Sequence, residues 1–439
     1  LQIAPLSRVL PKNASVRGKL DLKVSIVVDT NRPSITVSGT SSVRDGYLES
    51  RSVAPKPLTD WSVDTRVWLG ADLAGRGSFD ARVDGHFNGI PGFMRVKVAP
   101  DLETHTINAA LGFSQPTTCA DVWNGIPAGL LPNLTHEGAR FSGSMQPVLA
   151  WVLRMNDPWS FVFDVKGFPG TCRVDWVKPG YDPMELTAGD YTFHVQQYVS
   201  KRDIVVGPGS GSYQPYTSMP WYVPAAMYLS EEVGFWGNKG ISIPLMNKGI
   251  RISLERGRYV YGGSTISQQL VKNIYFTRTK TLSRKLEEAV VVWRMEEIVP
   301  KARILELYLN CIEFGPNLWG IKPAAHYYFG KEPSELTPLE SVYLAALKPS
   351  PYQGAHDMKI GHSPEGGPLP LRLSELMARY VQYGDHFGNH LTPQEVEYYA
   401  PYIVAFPTSA TGGAPYQSIP RPDWAVKGEP PPPVIVPPA

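Results

Sequence analysis

Cysteine is scarce in this chain, with three residues among 439. So few cysteines exclude a small disulfide-framed scaffold, which depends on dense cross-linking. Cys119 and Cys172 both lie in the N-terminal half and can pair with each other, which leaves Cys311 alone on a predicted helix. The cysteine count therefore permits an oxidising compartment without requiring one.

Long apolar runs are missing from the sequence, since none reaches the roughly 18 to 20 residues that a membrane-spanning helix needs. The sequence starts at Leu1, without an initiator methionine or the apolar core of a signal peptide. We therefore interpret it as a fragment or a trimmed form of a larger protein.

Net charge is nearly absent as well, because 42 basic residues are balanced by 40 acidic ones. Such a balance argues against a nucleic-acid-binding protein, whose affinity depends on releasing counterions from phosphates. The length exceeds that of one ordinary hydrophobic core, so two domains with tails are expected.

Residues 1–205 are predicted to be β-rich, because apolar residues alternate with polar or small ones. The clearest run consists of Leu20, Leu22, Val24, Ile26 and Val28. We expect an antiparallel sandwich, barrel or groove in this region, without a catalytic cluster. The pattern is faintly similar to that of AsmA-like envelope proteins that carry lipid, and a spacer domain is the alternative.

The composition changes at residues 206–220, where glycine, serine and proline predict a linker. Residues 221–405 have helical punctuation, with a threonine N-cap followed by proline and then glutamate at Thr337 and Thr392. Residues 406–439 are rich in proline and are predicted to form no core. The expected fold class is α+β, with an N-terminal antiparallel β-rich domain and a C-terminal, mostly α-helical domain.

The most informative stretch runs from Gly262 to Asn273, with the sequence GGSTISQQLVKN. Paired glycines precede two hydroxyls, two glutamines and an apolar, lysine-bearing segment, which predicts a polar loop that enters a helix. Thr265 and Gln268 have the spacing of a capping box. Backbone N–H groups, hydroxyls and amides would then meet at one place, which suits an anionic or hydroxylated ligand. An ordinary capped surface helix is the alternative.

This stretch resembles the second signature of the peptidoglycan glycosyltransferases, G-x-S-T-I-T-Q-Q-L-x-K-N. Four further blocks occur in the family's order, in whole or in part: EEVGFWGNKG at 231–240, RKLEE at 284–288, KARILELYLN at 301–310 and GIKPAAHYYFGK at 320–331. Five blocks at the right spacing make residues 221–402 similar to this family. The resemblance implies a mostly helical, lysozyme-like domain.

The family joins lipid-linked disaccharides by attack of a sugar 4-hydroxyl on C1, with inversion and loss of a polyprenyl diphosphate. One carboxylate must take the hydroxyl proton, whereas a diphosphate leaves as a stable anion when cations neutralise it. By resemblance, Glu231 is the catalytic base and Glu288 is the second essential carboxylate. Lys272 matches a phosphate-gripping lysine, and Lys280 stands where the family has an arginine. The other predicted substrate-binding residues are Ser264, Thr265, Gln268, Gln269, Arg284 and Lys285, with Lys248 or Arg251 on the donor side.

Two residues depart from the family pattern. Glu232 stands in place of an aspartate, and Asn238 replaces a histidine although an asparagine cannot become cationic. Glu232 keeps the carboxylate, so it is the predicted ligand for a Mg²⁺ or Mn²⁺ cofactor. The alternative to a working enzyme is a lapsed transglycosylase-like domain that binds lipid-linked diphosphate as a lipid-handling or scaffold protein.

The resemblance also implies the partners: lipid II and the growing glycan strand, undecaprenyl diphosphate and a membrane surface, but no nucleic acid. The chain contains neither a Ser-x-x-Lys nor a Lys-Thr-Gly motif, so a separate transpeptidase is expected. The expected location is the periplasmic side of a bacterial inner membrane, with an anchor upstream of Leu1.

Overall fold

The computed structural model describes residues 14–196, 201–258, 262–277, 279–348, 362–363 and 367–405. The chain divides into two compact units. The first, called the sheet unit below, comprises Leu1–Asp182, Ser242–Ser264 and Thr279–Arg294. The second, called the helical unit, comprises Pro183–Ile241, Thr265–Arg278 and Met295–Ala439.

The sheet unit is built on one eight-stranded sheet with the order β1-β2-β3-β4-β5-β6-β10-β11, in which all neighbours are antiparallel. Its strands are β1 (Ala14–Asp29), β2 (Ser34–Ser50), β3 (Leu58–Asp72), β4 (Ser78–Phe87), β5 (Ile90–Pro100), β6 (His105–Phe113), β10 (Val148–Arg154) and β11 (Asp157–Lys166). Short strands pair beside it as β7 (Thr117–Thr118) with β9 (Ser144–Met145), and β8 (Ala139–Ser142) with β12 (Arg173–Val177). The predicted antiparallel, β-rich N-terminal region is therefore confirmed.

One tight hairpin illustrates how the sequence directs this sheet. Asn88 and Gly89 join β4 to β5 with φ angles of 47° and 82°. This two-residue turn with positive φ suits the right-handed twist of the flanking strands. The Asn88 side chain also accepts the Ser62 N–H at 2.7 Å, which ties the turn to β3.

The short helix α1 (Cys119–Gly125) carries one half of a disulfide in the sheet unit. Cys119 is bonded to Cys172, with 5.9 Å between the two Cα atoms. The pairing that the sequence left open is therefore formed. The third cysteine, Cys311, is free and buried in the helical unit.

Two segments from the second half of the chain pack within the sheet unit. In helix α3 (Ile243–Glu255), the Asn247 amide accepts the Phe163 N–H at 2.7 Å and donates to the Phe163 carbonyl at 2.8 Å. At the start of helix α5 (Leu282–Ile298), the Leu282 N–H donates to the Ser52 carbonyl at 3.1 Å. Because of these contacts, the compact units do not follow the boundary that the sequence predicts at residues 206–220.

The helical unit is mostly α-helical, as predicted for the C-terminal part. Its elements are α2 (Tyr222–Glu231), α4 (Ile266–Tyr275), the end of α5, α6 (Lys301–Cys311), α7 (Ile321–Phe329), α8 (Pro338–Leu347), α9 (Leu369–Gln382) and α10 (Pro393–Ala405), with the hairpins β13 (Tyr191–Gln196) to β14 (Lys201–Val206) and β15 (Glu313–Gly315) to β16 (Leu318–Trp319). Every residue of α8 is buried, and α2 is buried from Tyr222 to Leu229. The packing of these two buried helices against each other fixes the position of the C-terminal end of α2.

Both predicted helix starts in this unit are confirmed. Thr337 caps α8 through a complete capping box with Glu340, and the Thr392 hydroxyl accepts the Glu395 N–H at 3.2 Å before α10. In the predicted linker, Val206 is the buried last residue of β14, and the Gly209 N–H donates to Asp190 at 3.0 Å. The predicted tail, residues 406–439, lies outside the described residues. No described helix combines the length and the apolarity needed to cross a membrane.

Candidate active site

Glu231 is the last residue of α2 and is held by a relay of side chains in the helical unit. The Gln269 amide nitrogen donates to Glu231 Oε2 at 2.6 Å, and the Tyr308 hydroxyl donates to the amide oxygen of Gln269 at 3.1 Å. Tyr308 is fully buried, so the relay is anchored in the core. Glu231 itself is half-buried, which leaves its carboxylate accessible. A positioned and accessible carboxylate of this kind suits a general base.

A lysine that the sequence analysis missed lies beside this carboxylate. Lys348 follows α8 and is buried, with its Nζ 3.8 Å from the centre of the Tyr308 ring. Burial lowers the pKa of Lys348 to about 8, although the Glu231 carboxylate favours the charged form. Nζ has no hydrogen-bond acceptor among the residues that the structure describes. The available sequence signal was a lysine that closes the otherwise apolar run LAAL.

With the anionic, lipid-linked substrate that the family resemblance implies, replacing Lys348 by methionine is expected to lower kcat/KM at least about tenfold, because the substrate anion would lose a charge-assisted bond. Wild-type activity should also fall above about pH 8, as the buried ammonium deprotonates. The measurement is kcat/KM from pH 6.5 to 9.5. Lys348→Arg is the matched control, since arginine stays charged throughout this range. A profile that is the same in wild type and Lys348→Arg would refute this role.

The N-terminus of α4 forms the capping box predicted from its spacing. The Thr265 hydroxyl accepts the Gln268 N–H at 3.1 Å, and the Gln268 side chain accepts the Thr265 N–H at 3.1 Å. Thr265 is fully buried and also donates to the Gly240 carbonyl at 2.8 Å. Its hydroxyl therefore fixes the helix start, whereas substrate contact by Thr265, Gln268 and Gln269 stays a prediction.

The loop after Glu231 is organised by the two residues that depart from the family pattern. Glu232 is buried, and one of its carboxylate oxygens accepts the Ile266 N–H at 2.8 Å while the other accepts the Asn238 amide. Asn238 closes the loop through its own side-chain oxygen, which accepts the Gly240 N–H at 2.7 Å. Asparagine thus supplies the hydrogen bonds that hold this loop, even though it cannot carry a proton as histidine does.

Burial raises the pKa of Glu232 to about 7, although the Ile266 and Asn238 donors favour the ionised form. Between the ordinary value of 4.5 and 7, the folded state then binds more protons than the unfolded chain, so stability should fall as pH rises. We expect this carboxyl to contribute on the order of 3 kcal/mol to that fall. The measurement is the free energy of unfolding in urea from pH 4.5 to 8 for wild type and Glu232→Gln. If the free energy of unfolding fell equally with pH in the two proteins, Glu232 would not be the group that causes this fall.

A second cluster, called the cation cluster below, lies in the sheet unit at the start of α5. Glu288 is buried and accepts hydrogen bonds from both Arg284 and Lys285. Lys285 Nζ also donates to the Ser264 hydroxyl at 3.0 Å, and Arg284 Nε donates to the Thr279 carbonyl at 2.5 Å. One buried carboxylate therefore orients two cations. The two cations and the carboxylate together carry a net positive charge. Such a group suits a phosphate oxygen.

The remaining predicted cations occupy different settings. Lys248 and Lys280 are exposed, and Lys272 is half-buried on α4 in the helical unit. Arg251 donates from Nε to the Phe161 carbonyl of β11 at 2.6 Å, so part of its guanidinium holds α3 to the sheet. The structure thus groups Ser264, Arg284, Lys285 and Glu288 in one unit, and Glu231, Gln269 and Lys272 in the other. Substrate binding by each of them stays a prediction.

The residues of α6 that match the family block have structural roles. Glu306 accepts the Tyr216 N–H at 2.7 Å and an Arg303 guanidinium bond at 2.6 Å. Asn310 accepts the Gln214 N–H at 2.8 Å and donates to the Gln214 carbonyl at 2.9 Å. These bonds fix the segment that leads into α2, the helix that ends at Glu231.

The predicted metal role of Glu232 does not fit its surroundings, since one of its oxygens accepts the Asn238 amide of the same loop and the other accepts the Ile266 N–H at the start of α4. Within the described ranges, no group of three or more histidine, cysteine, aspartate or glutamate side chains is arranged to hold a metal ion. We therefore derive no chemical step through a metal, and a Mg²⁺ or Mn²⁺ requirement stays a prediction for the assay below.

Comparison with known proteins places these residues in context. A family model described as Transglycosylase matches residues 204–361. The chain is similar to the biosynthetic peptidoglycan transglycosylase of Acinetobacter baumannii ATCC 17978, with 49% identity over 107 residues, which are 24% of this chain and 48% of that relative. Proteins of the same name from Paraburkholderia xenovorans LB400 and Nitrosospira multiformis are 34% identical over 165 residues (38% and 66% of the two chains) and 38% identical over 137 residues (31% and 60%). The chain spans about half the length of the first of these relatives.

Proposed function

The chain belongs, through residues 204–361, to the transglycosylase family, and from this we propose that it is a peptidoglycan glycosyltransferase. In this proposal it polymerises lipid II into glycan strands, with inversion at C1 and release of undecaprenyl diphosphate. The relatives' shared name supports glycosyl transfer in peptidoglycan synthesis. Lipid II as the substrate, inversion at C1 and release of undecaprenyl diphosphate are what the family resemblance implies.

The observation that carries the proposal is the arrangement around Glu231. Its carboxylate is accessible, is oriented by Gln269 at 2.6 Å and lies near the buried Lys348. We assign it the proton of the acceptor 4-hydroxyl. As the proton moves to Glu231, the acceptor oxygen bonds to C1 of the donor sugar and the bond between C1 and the phosphate oxygen breaks.

The family resemblance assigns the diphosphate to the cation cluster. The electron pair of the broken bond stays on the diphosphate, so the leaving group gains negative charge in the transition state. Arg284 and Lys285 are oriented in advance by Glu288, which lowers the cost of arranging them during the reaction. A diphosphate stabilised in this way needs no general acid.

The proposed setting follows from the substrate. Lipid II is a membrane lipid, so we place the reaction at the surface of the bacterial inner membrane on its periplasmic side. A function in the cell envelope follows from peptidoglycan synthesis by the family. A separate transpeptidase would cross-link the product, because the chain lacks the transpeptidase motifs.

The direct test is polymerisation of purified lipid II by the full chain, with products separated by gel electrophoresis. Parallel reactions contain Mg²⁺, Mn²⁺ or a chelator, which tests the predicted cofactor at the same time. We expect glycan strands with wild type and none with Glu231→Gln. The absence of polymer under all three conditions would refute the enzyme proposal.

One further variant separates an active enzyme from a lapsed one. The observation behind the alternative is Asn238, which holds its loop but replaces a histidine. The double variant Glu232→Asp with Asn238→His restores the family pattern, and we expect it to raise kcat with little change in KM. If polymer forms only with this variant, the chain is a lapsed transglycosylase that binds the lipid carrier.

A further inference from the structure

The eight-stranded sheet has one face that is apolar without interruption over three adjacent rows of residues. Directly paired residues in antiparallel strands share a face, so the register identifies each row. The first row is Ile26, Val37, Leu69, Ala81, Val96, Ala109, Trp151 and Phe163. The second row is Val24, Gly39, Val67, Val83, Met94, Leu111, Leu149 and Val165. The third row is Val28, Ile35, Ala71, Phe79, Val98, Ile107 and Leu153.

These three rows are called the apolar strip below. The strip contains no charged residue and no side chain that forms hydrogen bonds apart from the Trp151 indole. The opposite face of the same strands is mixed, with charged residues such as Asp80, Arg82, Asp84, Arg95 and Lys97. The alternation therefore sorts the sheet into one charged face and one hydrocarbon-like face.

Much of the apolar strip is open to solvent. Its most accessible members, each between 37% and 65% exposed, are Val24, Ile26, Val28, Phe79, Met94 and Leu111. Ala81 and Ala109 in the middle of the first row are buried. A contiguous apolar surface that is exposed in this way marks a binding site, because its exposure to water is energetically unfavourable.

The dimensions of the strip favour an extended hydrocarbon chain as its occupant. Eight strands spaced about 4.8 Å apart give a length of about 34 Å, and three rows along the strands give a width of about 13 Å. One leaflet of a bilayer has a hydrocarbon thickness of about 15 Å, half of the core. The strip is longer than this, so the hydrocarbon chain of a lipid fits along it. A protein partner would require a polar rim with hydrogen bonds, which this strip does not offer over its whole length.

The strip also continues toward a group that suits an anionic headgroup. At its β11 end, Asn247 and Arg251 of α3 bond to the backbone of Phe163 and Phe161 and cover the sheet edge. Gly263, directly before Ser264, packs on the first turn of α3, since a Cβ added to it would lie 2.6 Å from the Leu245 carbonyl oxygen. Ser264 in turn accepts a bond from Lys285 of the cation cluster. Within the sheet unit, α3 thus connects the apolar strip with two cations.

We propose that the apolar strip binds the hydrocarbon chain of a membrane phospholipid and holds it outside the bilayer. This activity goes beyond glycosyl transfer, since it requires neither turnover nor Glu231. It assigns lipid binding to the sheet itself.

The test uses the full chain and vesicles of phosphatidylethanolamine and phosphatidylglycerol that contain tail-labelled NBD-phosphatidylglycerol. Sucrose-loaded vesicles are sedimented after incubation, and NBD fluorescence is measured in the supernatant with the protein. We expect wild type to retain lipid in solution. The paired change Met94→Lys with Leu111→Lys should reduce retention at least about tenfold, because a lysine facing hydrocarbon is strongly disfavoured.

The matched control is Val152→Lys with Val162→Lys. These residues also pair across two strands and are 40% and 48% exposed, but they lie on the opposite face. The control and Glu231→Gln should retain lipid within about twofold of wild type, so a failed enzyme proposal leaves this result intact. Val24→Lys on β1 provides a second strip variant if the pair does not fold, as judged by circular dichroism.

Four outcomes would overturn the proposal. Wild type that carries no label would show that the strip is not a lipid site, and equal loss of label in the strip and control variants would show that lipid retention does not depend on the strip. Sedimentation of the protein with the vesicles would mean that the strip rests on a bilayer surface. A dimer that only the strip variants dissociate, with lipid retention unchanged, would assign the strip to a second copy of the chain.

Discussion

The variant Glu231→Gln is expected to polymerise lipid II ~10² to 10⁴ times more slowly than wild type, the range that acid–base groups contribute. An amide at this position cannot take the proton of the acceptor hydroxyl. Its oxygen can still accept the Gln269 bond, so the local geometry should persist. The measurement is the initial polymerisation rate at saturating lipid II, beside thermal unfolding of the same samples.

The appropriate control for Glu231→Gln is the same change at an exposed glutamate of the helical unit. Glu397→Gln on α10 removes an equal charge far along the chain and should leave the rate unchanged. A Glu231→Gln protein that melts like wild type but keeps more than about one hundredth of its rate would exclude Glu231 as the base.

Local features of this protein could be predicted because neighbouring residues determine them. The Thr265 capping box depends on a spacing of three residues, and the strand at residues 20–28 depends on alternation with a period of two. The family assignment, which rests on five ordered blocks, is confirmed by the match to residues 204–361. In the first two cases the information lies within a short window of sequence, and each block of the family pattern is itself short.

Features that depend on distant residues could not be predicted in the same way. Lys348 lies beside Tyr308 only because α8 packs in the core, and no local pattern indicates that contact. Arg251 was predicted as a donor-side cation, yet it donates to the Phe161 carbonyl on a strand far from it in sequence. The insertion of α1 and β7 to β9 between the adjacent strands β6 and β10 also has no local signal. Long-range pairing of this kind requires the folded chain.

The departure at Asn238 shows what sequence alone leaves open. The missing histidine predicts a lost proton relay, whereas the structure assigns Asn238 to the loop that carries Glu232. An enzyme that has lost its activity and an enzyme that tolerates asparagine at position 238 would share this geometry. Only turnover distinguishes them, which is why the restored double variant matters.

The adjacent residues Glu287 and Glu288 provide the second large effect, because one sequence step separates two different roles. Glu287 is fully buried and accepts three hydrogen bonds at 2.7 Å, from the backbone and side chain of Asn133 and from the Leu134 N–H. Glu288 instead orients Arg284 and Lys285. Helical geometry turns neighbouring side chains about 100° apart, so the two carboxylates serve different surroundings.

We therefore expect Glu288→Gln to lower kcat about a hundredfold, because a preorganised charged group is lost. Rates are normalised to the folded fraction of each variant. Glu287→Gln should leave kcat of the folded protein within about twofold but lower the free energy of unfolding by roughly 3 kcal/mol, since several charge-assisted bonds weaken. Glu288→Asp keeps the charge and should recover part of the rate. Binding of a phosphoglycolipid such as moenomycin should weaken in Glu288→Gln and not in Glu287→Gln. If both glutamine variants changed stability alone, the cation cluster would be a structural ion pair, and the diphosphate would have to be bound by other residues.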